Sequence, residues 1–492
     1  MPDNNNNPKS LFILMHGLLG SHKHMHSIRD LIIARSNEPV MIMIPCKNGF
    51  FKTFDGIDIV GERVLKEIKL FLRSRNENEI KSLQHLNIVA YSMGGLISKY
   101  IIKDLKVFLD KRYPHIKFNT FMTIASPHLG VNFYKNGKFP YNVLTSLGSN
   151  VLGRSGRQLF ILDNENNTDP LLLKISKGKY LEALKSFKHH VSLANVQNDR
   201  TVSFYTSFIT DLEYQCNINA LESDSILTTW DKFPTGAVID VTREGITNDD
   251  SLTLGTKGLF IRLSNIIKYL AKCFIIIMFV FFIFPIVLVV NLFGTAFSYL
   301  NVWIYQNKML LYSKFSFLNK KWLSTKLDLD FDPDSDFDEE YDNDVMEQLL
   351  SHLDKTRSDE SLVKNDIADI ISSDWEMKKT TYGKDSEGTI KSSKHSNLRM
   401  KYFINKYKHN NETDLYKRIT AESLPFDAAR NEIYNNLNSI EWIRIPLKLK
   451  GANTHRAIIA RNGLDPTLTL NRQAINFNID LLLELCANDH DI

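Results

Sequence analysis

Cysteine is scarce in this chain of 492 residues: there are four, Cys46, Cys216, Cys273 and Cys486, far apart and with no CxxC pair. That spacing excludes a disulfide framework and a thiolate zinc site, and it suits a reducing compartment for the soluble part. Basic residues are also not gathered into a stripe, and the formal net charge is only +4, so no nucleic-acid partner is expected. No apolar stretch precedes Leu11, where the chain reads MPDNNNNPKS, and a secretory signal peptide is therefore not expected. One absence points the other way. From Cys273 through Asn307 there is no charged residue at all, and Cys273 to Val290, CFIIIMFVFFIFPIVLVV, is apolar at every position.

Between Leu11 and about Leu263, short apolar runs alternate with amphipathic ones. LFILM (11–15), VMIMI (40–44), LNIVAY (86–91), FNTFMTI (118–124) and HVSLANV (190–196) have the length of buried strands. Between them, GERVLKEIKLFLRS (61–74) and GGLISKYIIKDLKVFL (94–109) place apolar residues at helical spacing with charges opposite. This alternation predicts a mostly parallel sheet with helices on both faces. The expected segments are a disordered start (1–10), the first part of an α/β core (11–263), an apolar membrane-associated stretch with its flanks (264–323), an acidic and polar disordered insert (324–397), and a final part completing the core (398–492). The insert contains DLDFDPDSDFDEEYDND, Asp328 to Asp344, which has too little apolar surface to offset the entropy of ordering. Pro333 and the lack of a turn glycine spoil a calcium-loop reading of its aspartates. The final part holds a helical stretch (426–437), a strand WIRIPLKL (442–449), a loop GANTHRA (451–457) and an amphipathic helix from about Asn471 to Cys486.

Three stretches carry chemistry. IVAYSMGGLISKY places Ser92 at a strand-to-helix junction, where a sharp turn exposes a hydroxyl above the sheet and aims a helix N-terminus at developing negative charge. Gly94 and Gly95 leave room for that elbow, while Ala90 stands where a glycine is usual. LFILMHGLLGS ends a strand in His16 and Gly17, so the backbone N–H of Leu18 is expected as one oxyanion donor and that of Met93 as the second, with His16 a structural loop residue. An acid and a base should come after Ser92 in that order. Asp199, in SLANVQNDRTVSFYTS, leaves a strand into a polar loop, as Asp163, Asp169 and Asp211 do not; His455 sits in GANTHRAIIAR. His128, in TIASPHLGV, is the rival base, but it precedes Asp199 and is assigned a supporting role. The histidines of HKHMH (22–26) have no nearby carboxylate and are expected to be exposed rather than to hold a metal.

Taken together and in this order, HGLLGS, NGFFKTFDGIDIVGERVLKEI (48–68), AYSMGGLISKY, TIASPHLG, NVQNDRTV and THRAII resemble the fungal serine esterase and lipase family of the α/β-hydrolase superfamily, which includes a lipid-droplet phospholipase and a monoacylglycerol lipase. The early start of the motifs and the apolar stretch are more similar to the former. The resemblance covers about Leu11 to Val202 and Phe426 to Leu485, with Ala90 and Ser203 as departures from the usual glycine and proline. It implies an α/β-hydrolase fold, Ser92 as nucleophile, Asp199 as acid and His455 as base, no cofactor or metal, and hydrolysis of acyl esters of glycerophospholipids or acylglycerols. The other readings are a monoacylglycerol lipase and a catalytically inactive lipid-binding or tethering protein. The expected location is a lipid-droplet monolayer or the endoplasmic reticulum membrane, with the catalytic part facing the cytosol.

If Asp199 and His455 meet, the apolar stretch between them must begin and end on one side of a bilayer. The lysines on both flanks, Lys268 and Lys272 before and Lys308 and Lys314 after, agree. Two full spans need roughly 40 apolar residues plus a turn, more than the run supplies. The expectation is a hairpin that dips part-way into lipid, bent near Pro285 or between Asn291 and Gly294.

Overall fold

The computed structural model describes residues 7–132, 145, 148–164, 168–213, 284–307, 404, 405, 407, 422–451, 453–463 and 469–487. The acidic insert and the first arm of the expected hairpin lie outside these residues.

The apolar runs form strands β1 (Ser10–Met15), β2 (Val40–Met43), β3 (His85–Tyr91), β4 (Lys117–Ile124) and β5 (His189–Asn195), and the C-terminal part adds β6 (Ile443–Leu447). They make one parallel sheet in the order β2-β1-β3-β4-β5-β6. Parallel strands covered on both faces read as near-continuous apolar runs rather than alternating ones. Accordingly β4 is buried from Phe118 through Ile124 and β6 is buried throughout.

The amphipathic runs become helices: α1 (His26–Arg35), α2 (Ile57–Arg73), α3 (Gly94–Arg112), the short α4 (Gly153–Leu159), α5 (Phe284–Gln306), α6 (Ala428–Asn438) and α7 (Thr469–Ala487). Helix α1 packs on α7 over one face of the sheet, and α2 packs on α3. Ile28 and Ile32 of α1 share a buried cluster with Phe12, Val191, Ile445 and, from α7, Phe477 and Leu482. At the start of α6 the Asp427 carboxylate accepts from the Arg430 N–H at 2.9 Å, satisfying one of the donors a helix start leaves open.

Strand order reverses at β1: the chain goes outward to β2, then crosses back to β3 and onward to β6. In an open parallel sheet, the loops leaving the carboxyl ends diverge at such a reversal and leave a crevice. The register pairs Met15 with Ala90, so the loops that begin at His16 and Ser92 are neighbours at that crevice. The alternating elements, the parallel sheet and the strand-to-helix elbow together are an α/β-hydrolase fold.

Two expectations need correction. Asn291 to Gly294 is not a bend, because α5 runs unbroken from Phe284 to Gln306. A Cβ added at Gly294 would lie 2.2 Å from the Phe51 ring, so this glycine permits close packing on the body of the protein. The histidines of HKHMH are not simply exposed: His22, His24 and His26 are half-buried around a 3-10 turn, and His24 Nδ1 accepts from the Ser21 N–H at 3.1 Å. Burial, with Arg461 and His16 nearby, lowers the His24 pKa to about 4.

One buried group is costly. Lys99 on α3 is 1% exposed and its ammonium has no hydrogen-bond partner among the described residues, so burial lowers its pKa to about 7. Between about 7 and the free value of 10.5 the unfolded chain binds more protons than the folded one, so this residue makes stability rise with pH across that window. Lys99→Met is expected to stabilise the fold by about 1–4 kcal/mol at pH 7 and to flatten that rise, as read by thermal unfolding between pH 7 and 10.

Candidate active site

Ser92 comes directly after β3 and adopts φ +56°, a left-handed conformation that a side-chain-bearing residue rarely holds unless its surroundings impose it. Those surroundings are specific. The Ser92 N–H donates to the Ile124 carbonyl at 2.9 Å, and the Ser126 hydroxyl donates to the Ser92 carbonyl at 2.8 Å. Gly94 lies under the β1 exit, where a Cβ would come 2.7 Å from the Met15 carbonyl oxygen, and at Gly95 a Cβ would meet Ser126 Oγ at 2.4 Å. Ala90, buried within β3 opposite Met15 and Thr123, fits its methyl group into the sheet.

His455 lies in a short helix, Thr454–Ala457, rather than in an open loop. Its Nε2 is 3.0 Å from Ser92 Oγ and its Nδ1 is 2.9 Å from Asp199 Oδ2. Two bonds tie that helix to the Asp199 loop: the Thr454 N–H donates to the Asn198 carbonyl at 3.1 Å, and Thr454 Oγ1 donates to the Gln197 carbonyl at 2.6 Å. Burial alone would raise the Asp199 pKa, but His455, the Val202 N–H and the Asn195 amide hold it below the ordinary carboxylate value. Asp199 is thus ionised and fully engaged, with Oδ1 accepting from the Thr201 and Val202 N–H groups and Oδ2 from Asn195 at 2.8 Å.

Next to the hydroxyl lies the loop after β1. At Gly17 a Cβ would stand 2.6 Å from that of Ser92, so only glycine lets this backbone approach. Leu19 takes φ +50° and gives its N–H to Thr53 Oγ1 at 2.9 Å, while Gly20 turns back onto the Gly17 carbonyl at 3.0 Å. The N–H groups of Leu18 and Met93, the two expected oxyanion donors, make no hydrogen bond to a protein acceptor among the described residues. His16 is buried, donates from Nδ1 to the Gly17 carbonyl, and has its pKa lowered to about 4 by that burial, so it stays neutral and braces the loop. His128 is engaged elsewhere. It is fully buried, bonded to Thr123 Oγ1 at 2.9 Å and packed on the Trp442 ring at 5.3 Å, with burial and the neighbouring Lys99 and Arg444 pushing its pKa well down.

Three positioning residues escape the motif reading. Tyr91, just before Ser92, donates its hydroxyl to the His455 carbonyl at 2.9 Å and sets its ring 4.8 Å from the imidazole. Ser126 fixes the elbow from within TIASPHLG, and Thr53 fixes the loop after β1. All three lie within stretches quoted above, Tyr91 in AYSMGGLISKY, Ser126 in TIASPHLG and Thr53 in NGFFKTFDGIDIVGERVLKEI, but their partners are not visible locally; Leu19, for one, is 34 residues from Thr53.

Residues 5–216 match the sequence model of a family described as "Putative serine esterase (DUF676)". Over 218 residues the chain is 26% identical to "Putative lipase ROG1" of Saccharomyces cerevisiae, covering 44% of this chain and 30% of that one. Over 209 residues it is 25% identical to "Putative lipase C4A8.10" of Schizosaccharomyces pombe, covering 40% and 26%. The resemblance to fungal serine esterases and lipases is shown by these matches, although the chain spans less than a third of the length of these relatives. Among solved structures, a lipase-esterase related protein from Clostridium acetobutylicum is 13% identical, with 41% of this chain and 81% of that chain covered at a TM-score of 0.23. Phospholipase PlaB from Legionella pneumophila is 14% identical, with 40% of each chain covered at a TM-score of 0.24.

Loss of the Ser126 hydroxyl leaves the Ser92 carbonyl with only its bond from the Gly95 N–H at 3.1 Å and lets the elbow relax without touching substrate. Ser126→Ala is expected to lower kcat on a water-soluble p-nitrophenyl ester by about 10- to 100-fold with KM little changed, measured by steady-state kinetics beside thermal unfolding of the same variant.

Proposed function

We propose that this chain is a serine ester hydrolase that cleaves acyl esters of glycerophospholipids or acylglycerols at a lipid surface. The observation that carries the reading is the relay from Asp199 through His455 to Ser92, with hydrogen bonds of 2.9 and 3.0 Å. In this reading His455 Nε2 removes the proton from Ser92 Oγ as the oxygen attacks the ester carbonyl. Asp199 holds the tautomer with Nδ1–H and stabilises the imidazolium that forms. The N–H groups of Leu18 and Met93 meet the tetrahedral oxyanion, and the helix α3 that begins at Gly94 presents its positive end to the same charge. His455 then protonates the departing alcohol, and water, deprotonated by the same imidazole, releases the fatty acid. None of these steps calls for a metal or an organic cofactor.

Support for a lipid substrate is the company the site keeps. Helix α5, from Leu288 to Gln306, is long and apolar enough to cross a membrane by length and composition, and little of it is buried. It rests against the 3-10 turn Phe50–Phe54, whose Thr53 holds the loop after β1. A lipid-droplet monolayer or the cytosolic leaflet of the endoplasmic reticulum suits such a surface, and Cys46 and Cys486, neither of them in a disulfide among the described residues, suit the cytosolic side. A phospholipid-directed and an acylglycerol-directed enzyme share this chemistry and differ in the head group admitted.

The test is fatty-acid release by purified protein from triolein droplets coated with phosphatidylcholine and from monoolein, beside Ser92→Ala. The parent is expected to release fatty acid from at least one of the two, and Ser92→Ala to be slower by about a thousandfold or more. Equal release by parent and variant would remove Ser92 from the chemistry, and no release by either would favour a lipid-binding or tethering protein that keeps the fold.

A further inference from the structure

Helix α5 is amphipathic the wrong way round for water. A surface helix normally turns its apolar stripe inward and its polar residues to solvent. In α5 the inward stripe repeats at helical spacing as Gly294, Ser298 and Val302, all buried, with Thr295, Asn301 and Tyr305 beside them. Its members make polar contacts with the body: Thr295 Oγ1 donates to the Val151 carbonyl at 2.7 Å, Asn301 Nδ2 to Asp55 Oδ2 at 2.5 Å, and the Tyr305 hydroxyl to Glu62 Oε2 at 3.1 Å. Asp55 is fully buried, shares its Oδ2 with Arg63 Nη1 at 2.6 Å, and Arg63 in turn lies 5.1 Å over the Tyr305 ring. The outward stripe is the opposite: Ile286, Val289, Phe293, Phe297, Leu300 and Trp303 are between 43% and 71% exposed.

We infer that α5 lies in the plane of a lipid layer, its polar side seated on the protein and its apolar side in the acyl region. This deepens the lipid-surface part of the proposed function and does not depend on the chemistry at Ser92. Two features choose this occupant. The polar contacts run from Thr295 to Tyr305, ten residues or about 15 Å of helix at 1.5 Å per residue, so the axis runs along the protein surface and does not leave it as a span would. Charge is absent from the whole run Cys273–Asn307 and returns on both sides as lysine, which suits an apolar layer bordered by anionic head groups. The seat of the helix is continuous with the site. The turn Phe50–Phe54 that receives Gly294 on Phe51 also holds Leu19 through Thr53, so a layer meeting α5 meets the protein beside the loop that flanks Ser92.

The test uses the full chain and a readout other than hydrolysis. Flotation with phosphatidylcholine-coated triolein droplets is measured for the parent, for Phe293→Ser/Phe297→Ser/Leu300→Ser, and for the conservative Phe293→Leu/Phe297→Leu. The serine variant is expected to lose at least tenfold in droplet-bound fraction with its Tm unchanged or raised, and the leucine variant to float like the parent. Flotation of the serine variant at the parental level overturns the inference, and so does a lipid-free dimer that the serine substitutions dissolve, which would assign the stripe to a second copy. Orientation is read from a fluorophore on Ile286→Cys, Phe293→Cys or Leu300→Cys in a background with Cys46, Cys216, Cys273 and Cys486 replaced by serine, quenched by shallow and deep nitroxide lipids. Equal depth at the three positions is expected, and depth that increases steadily from 286 to 300 overturns an in-plane helix. If the parent itself fails to float, both this inference and the lipid-surface reading fall, whereas failure of the serine variant to differ removes only the former.

Discussion

Two hydrogen bonds on one imidazole organise this protein. His455 reaches back across 363 positions of chain to Ser92 and across 256 to Asp199, so it can meet both only if β6 joins the sheet begun by the first 200 residues and carries the His455 segment with it. The pairing of β5 with β6, from Val191–Ile443 to Asn195–Leu447, supplies that connection and sets the Asp199 and His455 loops side by side at the carboxyl ends of neighbouring strands. Because the two strands are parallel, the chain between them leaves at the carboxyl end of β5 and re-enters at the amino end of β6, so both ends of everything inserted there are tied to one sheet. This is a geometric constraint on the long apolar and acidic stretches, independent of any ligand they bind.

The elbow shows how the fold holds strain. Left-handed backbone at Ser92 and Leu19 costs of order 1–3 kcal/mol at each residue, and each is restrained from two directions: Ser92 by the Ile124 carbonyl and the Ser126 hydroxyl, Leu19 by Thr53 and the turn at Gly17–Gly20. Some buried polar side chains find backbone partners close by, as with Trp442 donating to the Leu437 carbonyl at 2.9 Å and Ser176 Oγ to the Leu173 carbonyl at 2.8 Å. Lys99 differs from these, and it lies on the helix that carries the elbow.

The sheet is legible in the sequence because five buried strands are written as apolar runs of four to eight residues, and a sixth has the same pattern near the C-terminus. Ser92, Asp199 and His455 are legible as candidates because each follows such a run, beyond the carboxyl end of a strand. Less can be read where partners are remote. Thr53 and Leu19, or Tyr91 and the His455 carbonyl, meet only after the crossovers close, and no local periodicity marks them. Glycine at 294 misleads: in an apolar run it looks like a break, yet here it admits the Phe51 ring. The half-buried histidines around residue 24 mislead for a related reason, since a charged-looking cluster packs against the loop after β1 and Arg461.

The apolar helix and the catalytic candidates share one wall, the turn Phe50–Phe54, so on the proposed reading a lipid layer seated on that helix would meet the protein beside the Ser92 crevice. The central claim is that Ser92 is an activated nucleophile, and its most direct measurement is peptide mapping by mass spectrometry after treatment with a fluorophosphonate. A single adduct on the peptide containing Ser92, formed by the parent and slowed by about a thousandfold in His455→Ala, is the predicted result. An adduct on another residue, or equal labelling of Ser92 with and without His455, would contradict the account.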